Sequence, residues 1–285
     1  MQNKMVRPSF NIVTFGTRKY RKSLSIQREA VRKLSSARHW IYSERDAAIQ
    51  LAKNENPDLF QNKRGFGYWI WKPYIILDAL NQISDGDYVV YLDAGIAPIA
   101  NTQAWFDVIA NHEMAVFAPV PPEPASKWTK RDCFVRLGCD TEAFYNIPML
   151  SSGMQAYRKT PASIEFLHTL RETMQISGVL DDTENTSGKE NLEGFVAHRH
   201  DQSVLCLLAH REKIPTLLEP TQYGIWRPEE LIEYSRTPRC EQRLMNATVP
   251  HTLDVHRLRR REGIKFYIWR WKRRRNMKKL GLPSI

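Results

Sequence analysis

The chain reads as an α/β protein in which helices flank a mostly parallel central sheet, and three observations lead there. The stretches FNIVTF (10–15) and VVYL (89–92) are apolar without alternation, as strands are when helices cover both faces of a parallel sheet. Segments with apolar residues at helical spacing alternate with them along the chain. No internal repeat interrupts that order. A length of 285 residues with 42% hydrophobic content allows one large domain or two small ones, and unbroken alternation argues for one.

Residues 10–15 form the expected first strand, and GTRKY is a polar loop after it. A helix over about 22–37 carries Leu24, Ala30, Val31 and Leu34 as its apolar stripe. HWIYS (39–43) reads as a strand and 44–53 as a helix that NENPD breaks. In RGFGYWIWKPYIILDALNQI (64–83), a helix begins at Pro73, which the first helical position tolerates. Ile76, Leu80 and Ile83 then repeat at its spacing. Strands follow at 87–93 and 113–120, with PPEPAS as a Pro-rich loop and TKRDCFVRLGCD as a short helix. PMLSSGMQAYRKT contains a strand with Ser151, Ser152 and Gly153 ahead of it. A helix from Pro161 buries Ile164, Leu167 and Leu170, and DDTENTSGKEN is a polar loop. DQSVLCLLAHREKI is a helix opened by Asp201, and IPTLLEP closes the series as a strand.

The net charge of +11 is unevenly placed. Twelve of the 42 Lys/Arg and one of the 31 Asp/Glu follow residue 256, which leaves 30 of each sign before it. The expected division is therefore a neutral body, 1–256, and a basic, aromatic C-terminal helical tail, 257–285. A neutral body argues against a fold that grips a polyanion over its whole surface. Cys133, Cys139, Cys206 and Cys240 lack paired spacing, so free thiols in a reducing compartment are expected and a zinc site is not. The N-terminus lacks a signal-peptide pattern and no apolar run could span a bilayer, which points to a cytoplasmic protein.

Four short stretches could carry chemistry. DYVVYLDAG (87–95) puts Asp93 at the carboxyl end of a strand, where open α/β sheets bind ligands. A turn is the plain alternative. In GFGYWIWKPY, Gly65 and Gly67 allow close backbone approach, and Lys72 just before a helix N-terminus suits a phosphate. Tyr68, Trp69 and Trp71 offer flat faces, though burial in the core is the commoner use. In HRHDQS (198–203), Asp201 is an N-cap candidate that can also face a ligand. His198 and His200 alternate if extended, so at most one would point into a site. His251 and His256 close the body; a lone histidine is usually structural or solvated.

In this order and spacing GYWIWKP, GDYVVYLDAG, SSGMQAYRKT and HRHDQS resemble a family of bacterial GT-A-type, Rossmann-like glycosyltransferases of lipopolysaccharide and capsule synthesis. The resemblance covers about residues 10–257 and is strongest over 65–96 and 198–205. It implies transfer of a sugar from a nucleotide-diphosphate donor, of UDP type in the first instance, to a glycan or lipid-linked acceptor in cell-surface polysaccharide synthesis. It further implies that Thr14, Phe15, Gly16 and Thr17 lie against the nucleotide. Ser152 and Gly153 border the donor sugar, Trp71 and Lys72 serve donor binding, and Asp201 is the catalytic carboxylate beside the anomeric centre or the acceptor hydroxyl. Asp93 matches the first aspartate of the family's Asp-x-Asp motif, whose second position is Gly95 here. With His256 as a further ligand, Asp93 would hold Mn²⁺ or Mg²⁺. Without a metal, Lys72 and Arg257 would take over its charge.

The tail RLRRREGIKFYIWRWKRRRNMKK interleaves aromatics with cations. As a helix it sets Ile264, Tyr267, Ile268 and Trp271 on one face, the pattern of an interfacial segment on an anionic membrane. That makes the enzyme peripheral at the inner face of the membrane, with no nucleic acid expected. The rival readings are a nucleic-acid-binding protein acting through this tail and a metal-dependent phosphohydrolase. The second would be expected to show a denser carboxylate or histidine cluster than Asp93 and Gly95 provide.

Overall fold

The computed structural model describes residues 7–34, 37–98, 102–119, 123–221, 253–255 and 275. His256, Arg257, His251 and, Arg275 aside, the basic tail lie outside the described residues, as do both ends of the expected domain division.

The strands in chain order are β1 (Phe10–Phe15), β2 (Ala37–Tyr42), β3 (Tyr88–Leu92), β4 (Ile96–Pro98), β5 (Met114–Ala118), β6 (Ser151–Arg158), β7 (Thr216–Leu218) and β8 (Leu253–Val255). Six make one sheet in the order β2-β1-β3-β6-β5-β7, while β4 and β8 pair separately. β1 runs parallel to β2 and β3, and β5 parallel to β7. β6 is antiparallel to both of its neighbours. Five strands thus point one way and one runs back, a mixed sheet.

Both faces of the sheet are covered, as the unbroken apolar runs require. Val13, Phe15, Val89, Tyr91 and Tyr157 pack into one layer with the helices Ala47–Glu55, Lys72–Asn81, Pro161–Met174 and Asp201–Arg211. The alternate residues Phe10, Ile12, Tyr88, Val90 and Leu92 pack into the other with Val31, Trp105 and Phe106. This is the period-two geometry of strands, with an apolar partner on each side instead of water on one. Phe10 lies between Tyr88 and Phe106, its ring centroid 5.0 and 4.2 Å from theirs.

Several expected boundaries move. The first helix is Arg21–Arg32 and buries Ser23, Gln27 and Val31 rather than the full stripe of Leu24, Ala30 and Leu34. The second lies at Ala47–Glu55, where Asp46 precedes it. The helix expected to open on Pro73 opens one residue earlier, at Lys72. Ser152 and Gly153 lie inside β6 and not ahead of it.

Candidate active site

The carboxyl ends of β1 and β3 share one edge of the sheet because the two strands are parallel. β6 is reversed, so its amino end arrives at that same edge. Gly153 accepts a backbone hydrogen bond from Asp93 N at 2.9 Å. Had β6 run parallel, Ser152 and Gly153 would sit at the opposite edge. Helix Lys72–Asn81 contributes its first residue here, and helix Asp201–Arg211 does the same.

These pieces meet at the Lys72 ammonium, which is 2% exposed. It donates to Asp201 Oδ2 at 2.6 Å, to the Ser152 carbonyl at 3.0 Å and to Ser152 Oγ at 3.2 Å. An ammonium has three protons, so all of its donors are used. Asp93 Oδ1 lies 3.6 Å away, and the Tyr91 ring centroid 5.2 Å. Burial alone would push the Lys72 pKa down, but Asp201 and Asp93 hold it above the ordinary lysine value. Burial holds the Asp201 carboxyl above the usual carboxylate range, against the opposing pull of Lys72. One cation between two carboxylates leaves the cluster with a net charge of about −1. The excess sits on Asp93, whose side chain is 42% exposed.

Asp93 is held by Tyr91 at its carboxylate and by Gln27 at its carbonyl. The Tyr91 hydroxyl donates to Oδ1 at 2.6 Å. Gln27, fully buried in helix Arg21–Arg32, donates through Nε2 to the carbonyls of Asp93 at 3.1 Å and Ile96 at 2.7 Å. His39 Nε2 meets Gln27 Oε1 at 3.2 Å. Burial and Arg28 lower the His39 pKa to about 4, so His39 is neutral and can donate that bond while Gln27 keeps its amide protons on the turn. At Gly153 a Cβ would come within 3.1 Å of Asp93 Oδ2. Glycine there keeps the approach to the carboxylate open.

Lys72 is delivered by an uncommon backbone. Gly65, Phe66, Gly67, Tyr68 and Trp69 all have positive φ, between 54° and 86°, a left-handed turn five residues long. Each non-glycine in that region costs about 1–2 kcal/mol, so Phe66, Tyr68 and Trp69 together store about 3–6 kcal/mol. The turn is held from outside: Trp71 Nε1 donates to the Gly65 carbonyl at 3.0 Å, and Asn62 Nδ2 donates to the Tyr68 hydroxyl at 2.6 Å. A Cβ on Gly65 would lie 2.3 Å from the Trp69 ring. The glycines expected to admit a ligand therefore serve this turn. Tyr68 and Trp71 are buried, as the core reading of the aromatics has it.

Several site expectations change in detail. Lys72, read as suiting a phosphate, is an internal ammonium whose three donors go to Asp201 and Ser152. Asp201 is the first helical residue and not the N-cap; His200 holds that position at φ 53° without a side-chain cap. The expectation that at most one of His198 and His200 points into a site agrees with two buried rings bound to the backbone. His198 Nε2 meets the Val179 carbonyl at 2.9 Å, and His200 Nδ1 the Leu180 carbonyl at 2.8 Å. Tyr68 stacks on His200 with centroids 4.7 Å apart, so the residues preceding Lys72 and Asp201 brace each other.

Of the expected loop 14–17, Thr14 and Phe15 end β1 and Gly16 and Thr17 follow it, along the same edge. Thr14 is fully buried, with no hydrogen-bond partner for Oγ1 among the described residues. Phe15 packs on Trp71 at 4.3 Å, Gly16 donates to the Tyr42 carbonyl, and Thr17 is half-buried. Gly95 forms part of the turn between Asp93 and Ile96. Among the described residues no group of three or more His, Cys, Asp or Glu could hold a metal.

Comparison with solved structures finds distant likenesses. Mouse xyloside xylosyltransferase 1 aligns at a TM-score of 0.44 and 9% identity, over 87% of this chain and 97% of that one. The galactosyltransferase LgtC, solved with donor and acceptor sugar analogues, aligns at 0.44 and 11% over 87% of both chains. A glycosyltransferase of the PBCV-1 major capsid aligns at 0.41 and 10%, over 75% of this chain and 84% of that one. All three are glycosyltransferases. No protein-family profile and no curated protein sequence matches the chain.

Gln27, Tyr91 and His39 were not among the sequence-derived site residues. Gln27 had one legible signal: with Ser23 and Val31 it recurs every four residues on one face of its helix, and a polar residue on an apolar stripe asks for a buried partner.

Proposed function

We propose that the protein transfers a sugar from a nucleoside-diphosphate donor, of UDP type, to a glycan or lipid-linked acceptor of the cell surface. The observation that carries the reading is the Lys72–Asp201–Asp93 cluster at the carboxyl edge of β3, with Ser152 and Gly153 brought to it by the reversed strand. It combines an exposed carboxylate, a fixed ion pair and a glycine-lined approach, and residues 14–17, the end of β1 and the turn after it, stand at the same edge. The solved structures above bear the same activity name, but their distance leaves the assignment to the site itself.

In this reading Asp93 is the described residue that would hold a divalent cation, Mn²⁺ or Mg²⁺, with the donor's diphosphate oxygens. The donor set fits: a hard carboxylate oxygen, partly exposed and carrying the cluster's excess negative charge. The cation would offset the charge that develops on the leaving diphosphate. Tyr91 and Gln27 keep Asp93 in place for it. Asp201 acts as an orienting carboxylate, accepting a hydrogen bond from a sugar or acceptor hydroxyl. Protonating it would leave the buried Lys72 ammonium with Asp93, 3.6 Å away, as its remaining carboxylate. Ser152 and Gly153 border the donor sugar, and Trp71 supports the nucleotide loop through Phe15. The chain is peripheral at the inner membrane face, with the 257–285 tail on anionic lipid.

Isothermal titration with UDP, GDP and CMP, each with Mn²⁺ or EDTA, tests the reading. UDP is expected to bind in Mn²⁺, with binding lost in EDTA and in Asp93→Ala. Failure of all three nucleotides to bind would end the transferase reading.

A further inference from the structure

The charge of the body is balanced in number but not in place. Residues 18–33 hold seven Lys/Arg and one acid. Arg18, Lys19, Arg21, Lys22, Arg28, Arg32 and Lys33 are all exposed, and Arg38 on β2 adds an eighth cation. Arg21, Arg28 and Arg32 recur at spacings of seven and four, one line on the exposed side of the helix, away from the buried Ser23, Gln27 and Val31. Among the described residues the one ion pair on this face is Lys33 with Glu29, at 3.5 Å.

Helix stability does not explain this arrangement. Arg21 and Lys22 open helix Arg21–Arg32, no acid stands in its first turn and no side chain caps it. Cations at that end oppose the helix dipole, where acids would stabilise it.

The position on the fold completes the argument. Gln27 on the buried side of this helix binds the carbonyl of Ile96, the first residue of β4. Ile96 pairs with Val255, the last residue of β8. The basic helix therefore lies next to the turn that carries Asp93.

We infer that the exposed face of residues 18–33, with Arg38 beside it, is a membrane-docking surface for anionic phospholipid, which sets the site's edge against the bilayer. A convex helix face of Arg and Lys suits a broad sheet of negative charge. Its exposed positions within the helix are Arg, Lys, Ser25 and Glu29, without the aromatic platform that single-stranded nucleic acid uses. The inference adds to the transferase reading a surface of the folded body.

The test is sedimentation of the full chain with phosphatidylcholine vesicles, with and without phosphatidylglycerol. Two paired variants are compared with the native chain: Arg21→Glu with Lys22→Glu, and Arg28→Glu with Arg32→Glu. Binding to anionic vesicles should fall by about fivefold for each cation removed, while pure phosphatidylcholine binds weakly throughout. The first pair should melt at the same or a higher temperature, because acids suit a helix N-terminus, so lost binding is not lost folding. Nucleotide titration of the Arg21→Glu, Lys22→Glu pair should match the native chain, which separates this inference from the reading of the site. Native-like vesicle binding by both pairs would assign docking to the tail alone and overturn the inference. So would preference of the native chain for single-stranded oligonucleotide over anionic vesicles in direct competition.

Discussion

Replacing Lys72 by Met removes the ammonium and keeps most of the side-chain volume, so the outcome reports on charge. Asp201, 5% exposed, then keeps a buried carboxylate without the cation that sat 2.6 Å from Oδ2. The Ser152 hydroxyl loses the Lys72 donor at the same step, and the Ser152 carbonyl keeps Gln155 Nε2 alone of its two side-chain donors. Breaking a buried pair from one side costs about 3–5 kcal/mol. The loss should depend on pH. With its cation gone, the Asp201 pKa rises further above its unfolded value, so the folded state is most penalised at pH 8 and recovers as pH falls and the carboxyl takes a proton. Asp201→Asn should cost less than Lys72→Met, since the ammonium keeps both Ser152 acceptors and Asp93. The double variant should cost less than the two singles added, with a coupling of about 1–3 kcal/mol. Urea denaturation of the four proteins at pH 8 and pH 5.5 measures all of these. A Lys72→Met loss below about 1 kcal/mol, or strict additivity in the cycle, would refute the buried ion pair as the centre of the site.

Two further outcomes follow from the groups around it. Gln27→Leu leaves the carbonyls of Asp93 and Ile96 without their shared donor and should cost about 1–3 kcal/mol. Cation-dependent nucleotide affinity should fall in the same variant, read by denaturation and titration together; unchanged affinity would remove Gln27 from the support of Asp93. Stability should also fall in acid. Burial and His200 lower the His198 pKa to about 3, and burial and Arg28 lower that of His39 to about 4. The unfolded chain takes up these protons near pH 6.5, so each neutral imidazole contributes stability above that pH. The contribution falls by up to about 1.4 kcal/mol per pH unit as pH drops toward the folded values. Denaturant midpoints from pH 7 to 4 test this, and His198→Gln should flatten the slope.

Much of the frame was readable from local pattern. The apolar run 89–92 required cover on both sides, and Val89 and Tyr91 pack into one layer while Val90 and Leu92 pack into the other. The helices at Pro161 and Asp201 have local signals in Pro and Asp. The reversal of β6 had none: a strand's side-chain period is the same in either direction. The left-handed turn 65–69 was half visible, since Gly65 and Gly67 permit it but Phe66, Tyr68 and Trp69 resist it. Asn62 and Trp71 beside the turn hold them there together with contacts made elsewhere in the fold, such as His200 stacked on Tyr68.

The sequence by itself determined a doubly covered α/β sheet with Asp93 at the end of a strand, because those features follow from residues two to four positions apart. Tertiary structure decided what the site is made of. Lys72 and Asp201 are separated by 129 positions and Gln27 and Asp93 by 66, and no local pattern marks which lysine will be buried or which amide will brace a turn. A solvated lysine and a buried one are the same letter, and only the carboxylate 2.6 Å away distinguishes them.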